Sequence, residues 1–568
     1  MTDNVHVNAL ETVEKGMKAR ATVESEARPE SVITLGTPSC LPSDNALAIT
    51  YTSRMEPSKN RQRRIAQVGL VGGIILFAIL LRFANLEHAS FCHTEAWRAN
   101  WIREGDVSQA RRFTPLFFLI HQAVQPFGVR SEAVLRFPSA VAGVVCVILV
   151  YGFSARVVGR RAACISALLT AVHPTLVYYS RKQLEYSFEA CMSVALLWVG
   201  VATYRSLTPR AFAMFVIVAI LGLGLTFTSA IAIAAWLAIL GWAVFRASQA
   251  HRSARRAYLV AASALIVSTA GWYGWLSGAP NRDLMLIYYD SMEVVWPAAY
   301  TAEALTRWLV GAVYGVLQFT LGITDTWPPL NWFVASFEVL AICAALGIAW
   351  KRCRIGFVGV SLIVLGAIMC GAVRLWPLGS LRHSTFLIPF VTIITGWGFW
   401  RLWQQLGWSF ASVCLAVMCA IIPSARAVKA TMIAPRAYEH TRPLFDYVAS
   451  HRQAGDAMFV YYFAVEAYKF YETPREIPVY LELSTDRANP ELFVARFDEW
   501  ISQHDRVWFI SAHDWHGERD AWLLLLKTRY QELDCVETND ASLHLFARTA
   551  NVFYPHPPLV DTIPPQGG

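Results

Sequence analysis

Apolar runs of about 18 to 22 residues recur through most of this 568-residue chain, and they leave few folds open to it. A run of that length crosses the hydrocarbon core of a bilayer as a helix. Inside lipid, only helices and closed barrels satisfy all their own backbone groups. Charged residues make up 16% of the chain, against roughly 25% in soluble proteins, so the runs read as membrane spans rather than as a soluble core. The net charge of +8 (49 basic minus 41 acidic) does not point to nucleic acid, because the basic residues sit in short loops between the runs. That placement follows the positive-inside rule.

About eleven spans are expected, near 66–86, 137–155, 162–179, 188–204, 211–226, 230–245, 258–277, 331–350, 355–373, 384–400 and 407–423. With that number, Arg63 and Arg64, Arg156 to Arg161, Arg205 and Arg210, Arg246 to Arg256, and Lys351 to Arg354 all fall on one side. The charge rule makes it the cytoplasmic side. Two apolar stretches, 115–121 and 308–323, are too short to cross and are expected in the interface or as re-entrant segments. Residues 1–64 mix charges of both signs with Ser, Thr and Pro, which predicts a disordered cytoplasmic tail. The Pro-rich end, 549–568, is expected to be disordered as well. Between 434 and 548, strand-like runs at 456–462, 477–481 and 506–511 alternate with helical stretches. The expected fold is therefore an all-α polytopic membrane domain, 65–433, with a small C-terminal α/β domain on the extracytoplasmic side.

Charged residues outside the expected spans concentrate in three loops, 87–112, 180–187 and 374–383, which can converge over one cavity. In the first, Phe91-Cys-His-Thr-Glu-Ala-Trp-Arg98 follows the first span directly. Glu95 there is a candidate general base facing a lipid-borne substrate, since a carboxylate near apolar surface titrates closer to the useful range. The plainer alternative is that Glu95 and Arg98, three residues apart, form a solvated helical pair. His93 is a candidate assisting base or metal ligand, although a lone loop histidine is more often neither. In the other loops Arg181, Lys182, Arg382 and His383, with Arg374 beside them, suit a phosphate head group. The competing reading for these residues is snorkelling at span ends. Glu132 and Arg136, at i and i+4, read as a structural pair seating the second span. The eleven cysteines show no C-x-x-C and no metal-ligand spacing. A Cys92–Cys535 disulfide stays open if both face an oxidising compartment.

Four stretches, in order, resemble bacterial glycosyltransferases of the GT-C fold related to dolichyl-phosphate-mannose protein mannosyltransferases and lipid A aminoarabinose transferases. They are Thr94-Glu95-Ala96, where that family usually has Asp-Glu-Ala; Phe127-Gly-Val-Arg-Ser-Glu-Ala-Val-Leu-Arg-Phe-Pro-Ser139; His173-Pro-Thr-Leu-Val-Tyr-Tyr-Ser-Arg-Lys-Gln-Leu-Glu-Tyr186; and Pro377-Leu-Gly-Ser-Leu-Arg-His383. The resemblance implies an inverting transferase that takes a sugar from a polyprenyl-phosphate donor to a lipid, glycan or protein acceptor, at the outer face of the bacterial cytoplasmic membrane. It implies Glu95, Thr94 and His93 as the catalytic group. It also implies Lys182, Tyr186, Arg181, Arg382 and His383 as the donor-phosphate and substrate group. None is assigned as a metal ligand, no cofactor is certain, and a divalent metal is left open. Two departures stand out: Thr94 replaces the first acid, and Leu184 stands where that family has arginine.

Two other classes compete with this reading. A transporter or flippase would place ionisable residues within spans, where Glu189 and Glu338 are the exceptions here. No matched halves with broken helices are seen. A non-catalytic envelope-assembly component is motivated by the missing first acid at Thr94.

Overall fold

The computed structural model describes residues 57–105, 114–246, 252–277, 300–320, 328–378, 381–407, 421–433, 435, 437–471, 477–482, 490–513 and 518–548. The two expected tails, most of the eleventh expected span and most of the loop after the seventh lie outside the described residues.

Through the membrane part run α1 (Pro57–Phe83), α2 (His93–Glu104), α3 (Pro115–Val124), α4 (Glu132–Val157), α5 (Arg160–Val172), α6 (Pro174–Ser180), α7 (Tyr186–Ser206), α8 (Pro209–Leu225), α9 (Ser229–Arg246), α10 (Arg252–Ser277), α11 (Ala302–Thr320), α12 (Pro328–Ala372), α13 (Ile388–Leu406) and α14 (Ile422–Val428). Among the described residues, seven helices are long and apolar enough to cross a membrane, or eight if the bent pair α5–α6 is one span. The 57° bend of that pair has a local cause. Pro174 lacks an amide hydrogen and crowds the residue before it. His173 accordingly leaves the helical region, at φ −59° and ψ 121°. The expected fifth span is the shorter apolar helix α8. The expected eighth and ninth are two parts of α12, which breaks at Cys353 (φ −142°, ψ 48°) inside the basic stretch Lys351 to Arg354. Of those two parts only the second, from Trp350, ranks among the spans. Residues 308–320 of the second short apolar stretch fall in α11, which does not rank among the spans either, and 321–323 lie outside the described residues.

The spans are apolar on the outside as well as within. On α1, Ile74, Ala78 and Leu81 are buried while Val68, Leu70 and Leu76 are exposed, a surface fit for lipid. Close crossings depend on glycine. A Cβ on Gly396 of α13 would lie 2.7 Å from the backbone nitrogen and Cα of Ser166 on α5, so only glycine lets those two helices pass.

The C-terminal part folds as expected into an α/β unit: α15 (Arg442–His451), β1 (Asp456–Val460), α16 (Tyr462–Tyr471), β2 (Val479–Leu481), α17 (Pro490–Ile501), β3 (Arg506–Ala512), α18 (Glu518–Arg529), β4 (Gln531–Thr538) and β5 (Ala541–Ala547). The sheet order is β2-β1-β3-β5-β4, parallel across β2, β1 and β3 and antiparallel beyond. Alternation along the strands sorts the core. Ala457, Phe459, Val507 and Phe509 pack with Val494 and Phe497 of α17 and Trp522 of α18. Met458, Val460, Trp508 and Ile510 face the other way and share a cluster with Phe91, Ala96 and Ala99. Helix α2, from the first loop, is thus part of the core of the α/β unit. Phe91 stacks on Phe470 at 4.8 Å, and Asn100 donates to the Glu466 carbonyl and carboxylate, each at 2.9 Å.

Candidate active site

Helix α2 starts immediately after Cys92, with Glu95 in its first turn, where a negative charge suits the helix dipole. The side chain is fully buried. Its Oε1 accepts from Arg136 Nε and from the Gln183 amide, both at 2.9 Å. Its Oε2 accepts from Arg136 Nη2 at 3.0 Å and from Lys182 Nζ at 2.9 Å. Arg136 spends its remaining hydrogens on the carbonyls of Leu86, Ala89 and Ser90, with its guanidinium 4.8 Å from the Phe91 ring centre. Burial by itself would raise the Glu95 carboxyl, but Arg136 and Lys182 outweigh it and hold the group down at about 2. Burial would likewise lower Lys182, and Glu95 outweighs that and raises it.

This arrangement corrects several expectations. With both carboxylate oxygens engaged by Arg136, Lys182 and backbone amides, Glu95 is the anchor of a buried ion triad and not a solvated residue. Nor does Glu95 pair with Arg98, whose Nη2 binds Glu185 Oε1 at 3.1 Å while Nη1 takes Oε2. Glu132 does not pair with Arg136; it takes Arg442 at 2.8 and 2.9 Å and the Tyr471 hydroxyl at 2.8 Å. Lys182, 4% exposed, is paired with Glu95 at 2.9 Å. Arg181 caps the end of α1, donating to the carbonyls of Leu81, Ala84 and Asn85, a favourable place for a cation. His93 is held with Nδ1 on the Phe463 carbonyl at 3.2 Å and its amide on Glu439, and burial lowers its basicity. Thr94 is half-buried in the first turn of α2. Cys92 and Cys535 are both free.

The three charged loops do converge. The Tyr186 ring meets His383 edge-on at 5.8 Å and Tyr179 at 4.7 Å, and Trp376 closes on His383 at 5.4 Å. Arg382 and Arg98 both act electrostatically on His383, and Arg382 acts on Tyr179. Two guanidiniums from different loops therefore bear electrostatically on one histidine.

Next to this convergence lies a group that the sequence reading passed over. Glu185 and Glu189 are one turn apart at the start of α7, and both Glu189 and His121 of α3 feel Arg98 and Glu185. Glu189 is 1% exposed and His121 fully buried. Among the described residues neither Glu189 carboxylate oxygen has a hydrogen-bond partner, and neither does His121 Nε2. His121 Nδ1 takes the Phe117 carbonyl at 2.8 Å. The side-chain amide of Gln183 is likewise buried without partners among the described residues. Native interiors leave few such groups, so each of these three residues keeps polar capacity that a ligand could use. The one sequence signal was the pair of carboxylates four apart in Gln183-Leu-Glu-Tyr-Ser-Phe-Glu189, at the entrance to a span.

Two sets of described residues offer three metal-ligand atoms within 4.8 Å of one another, Glu439 with His513 and Asp540, and Glu532 with Cys535 and His544. Both draw on residues of the α/β part and the segment leading into it, and neither includes His93, His121 or Glu189.

The dolichyl-phosphate-mannose-protein mannosyltransferase family model matches residues 114–274, from α3 into α10, a stretch that contains the second and third motifs. The chain is thus similar to that family over this segment, and the resemblance to GT-C glycosyltransferases rests on it. Similar solved structures include the apo oligosaccharyltransferase of Archaeoglobus fulgidus, at 12% identity over 85% of this chain and 74% of that one, with a TM-score of 0.49. They also include ArnT from Cupriavidus metallidurans bound to undecaprenyl phosphate, at 13% identity over 85% and 99%, with a TM-score of 0.39. Likenesses at this level fix no function. No curated protein sequence matches the chain.

Proposed function

We propose that this protein transfers a sugar, with inversion, from a polyprenyl-phosphate donor to an acceptor hydroxyl at the end of the membrane domain that bears the α/β unit. One observation carries this. Arg98 and Arg382, from separate loops, both act electrostatically on His383, and Glu189, His121 and Gln183 bury polar atoms that have no protein partners among the described residues. Guanidiniums suit a phosphate because their planar fork matches its oxygens. A hydroxyl-rich sugar would supply the partners that Glu189, His121 and Gln183 lack. The family match over 114–274 supports a lipid-phosphate sugar as donor, and the exposed apolar faces of the spans supply a surface for its chain.

In this reading Arg98 and Arg382 hold the phosphate, and Tyr186 and His383 wall the site. The Glu95–Arg136–Lys182 triad fixes the loop at 180–187 against α2. The end bearing the α/β unit is the extracytoplasmic one of a bacterial cytoplasmic membrane, because the basic clusters from Arg156 to Arg256 fall at the other ends of the spans.

The test is binding. Purified protein in lipid nanodiscs is titrated with polyprenyl phosphate and the complex is followed by native mass spectrometry. Saturable binding is expected, weakened at least about tenfold by Arg98→Ala and by Arg382→Ala, the loss of one charge-assisted contact. Equal binding by wild type and both variants contradicts the proposal.

A further inference from the structure

Glu189 is hard to explain as a structural residue. A carboxyl buried to 1% exposure with no hydrogen-bond partner among the described residues costs several kcal/mol of desolvation with nothing returned. Apolar residues of similar size would serve the fold better at that position. By contrast, the buried acids Glu95, Glu132 and Glu185 are all engaged. Glu95 holds two cations, Glu132 holds Arg442 and Tyr471, and Glu185 holds Arg98. Those acids are spent on the scaffold, and Glu189 is left over.

Its placement is specific. The side chain leaves the first turn of α7 one turn beyond Glu185, so the Arg98–Glu185 ion pair borders it on one side. His121 of α3 lies in the field of the same pair. Arg98 also acts electrostatically on His383, and Tyr186, next to Glu185, meets the His383 ring at 5.8 Å. Glu189 is thereby linked, through Glu185 and Arg98, to the residues proposed to hold the phosphate.

We propose that Glu189, and not Glu95, is the general base of the transfer, acting on an acceptor hydroxyl brought up to its carboxylate beside the Arg98–Glu185 pair. This rests on the glycosyltransferase reading above. In the step, the acceptor oxygen attacks the anomeric carbon from the face opposite the phosphate. The new carbon–oxygen bond forms as the bond from that carbon to the phosphate oxygen breaks. The bonding pair leaves with polyprenyl phosphate, whose charge Arg98 and Arg382 neutralise. The hydroxyl proton passes to a Glu189 carboxylate oxygen. Glu189 meets the first need of a base, a lone pair that the protein has not already used. It also explains how a chain with Thr94 in place of the usual first acid retains a base.

The experiment uses the full chain in nanodiscs with polyprenyl-phosphate hexoses labelled in the sugar, envelope extract as acceptor, and release of unglycosylated polyprenyl phosphate as readout. Glu189→Gln is expected to fold like wild type, because no hydrogen bond within the described residues is lost. Its turnover is expected to fall at least about 100-fold, the lower end of general-base contributions, with the donor KM within about threefold. Glu189→Ala is expected to regain at least about tenfold of its lost rate with added formate, a small carboxylate that fits the space vacated. Glu189→Gln turnover within about threefold of wild type overturns the proposal, as does a loss expressed in the donor KM alone. If Glu189→Gln does not fold, absence of formate rescue in Glu189→Ala overturns it. A wild type that consumes no donor overturns the glycosyltransferase reading itself, which is a different outcome.

Discussion

Replacing Glu95 with Gln separates an anchor from a base. The carboxylate accepts five hydrogen bonds, two on Oε1 and three on Oε2, from Arg136, Lys182 and the amides of Gln183 and Cys92. Glutamine keeps one accepting oxygen and turns the other position into an NH2 donor. Whichever way the amide is set, that donor points at other donors: Arg136 and Gln183 on one side, or Arg136, Lys182 and the Cys92 amide on the other. The change also leaves two cations, at 2% and 4% side-chain exposure, without a counter-charge. Breaking a buried pair in this way costs about 3–5 kcal/mol, a large part of the roughly 5–15 kcal/mol that holds a domain together. At roughly 2 °C per kcal/mol for a large chain, Glu95→Gln should lower the melting temperature in detergent by about 6–10 °C. Adding Lys182→Met should recover part of that loss, because one orphaned cation is removed. The sign of the pH dependence follows from the same geometry. A carboxyl lowered from 4.5 to about 2 in the folded state contributes stability that is fully present above 4.5 and disappears as the pH falls toward 2. Glu95→Gln should lose that acid limb. A Glu95→Gln protein that melts with wild type yet has lost its transfer activity refutes this reasoning and restores the base role to Glu95.

Other perturbations test how the parts are held. Glu132→Gln should loosen the α/β unit from the membrane part, since Arg442 loses its two-oxygen partner and Tyr471 its acceptor; faster amide exchange over 442–451 is the readout, and unchanged exchange counts against the clamp. Gly396→Ala should cost about 1–3 kcal/mol by forcing α13 off the backbone of Ser166. Gly69→Ala, where nothing lies within 4 Å, should melt with wild type. Lys182 is raised in the folded state, so its contribution is present below its ordinary value and is lost as the pH climbs through the raised one. An alkaline loss of stability that Lys182→Met lacks is the corresponding observation.

Membrane character, the span positions that fall on described helices and the α/β unit were legible because each rests on local pattern. Run length sets a span, and strand-sized apolar runs between helices set the sheet. The bend in the third span was also written locally, at Pro174, though it was not read. Ion pairing was not legible. Glu95 finds its partners 41 and 87 residues away, at Arg136 and Lys182, and nothing near it in sequence announces either. Glu132 and Arg136 have the spacing of a helical pair, yet each finds a better partner on another element. The family resemblance directed attention to three loops, and the structure brings residues of all three together. The resemblance did not say which acid in them stays uncommitted, because that depends on which cations the fold brings to the others. Glu189 looked like a stray charge in a span, and only its lack of partners among the described residues gives it significance.

The central claim is transfer from a lipid phosphate, and product analysis tests it most directly. The reconstituted protein is supplied with a panel of polyprenyl-phosphate sugars and envelope acceptors, and both products are followed. The account expects acceptor-dependent release of polyprenyl phosphate and a glycoside of inverted anomeric configuration from at least one donor. Consumption of none of the donors, or a product of retained configuration, contradicts it.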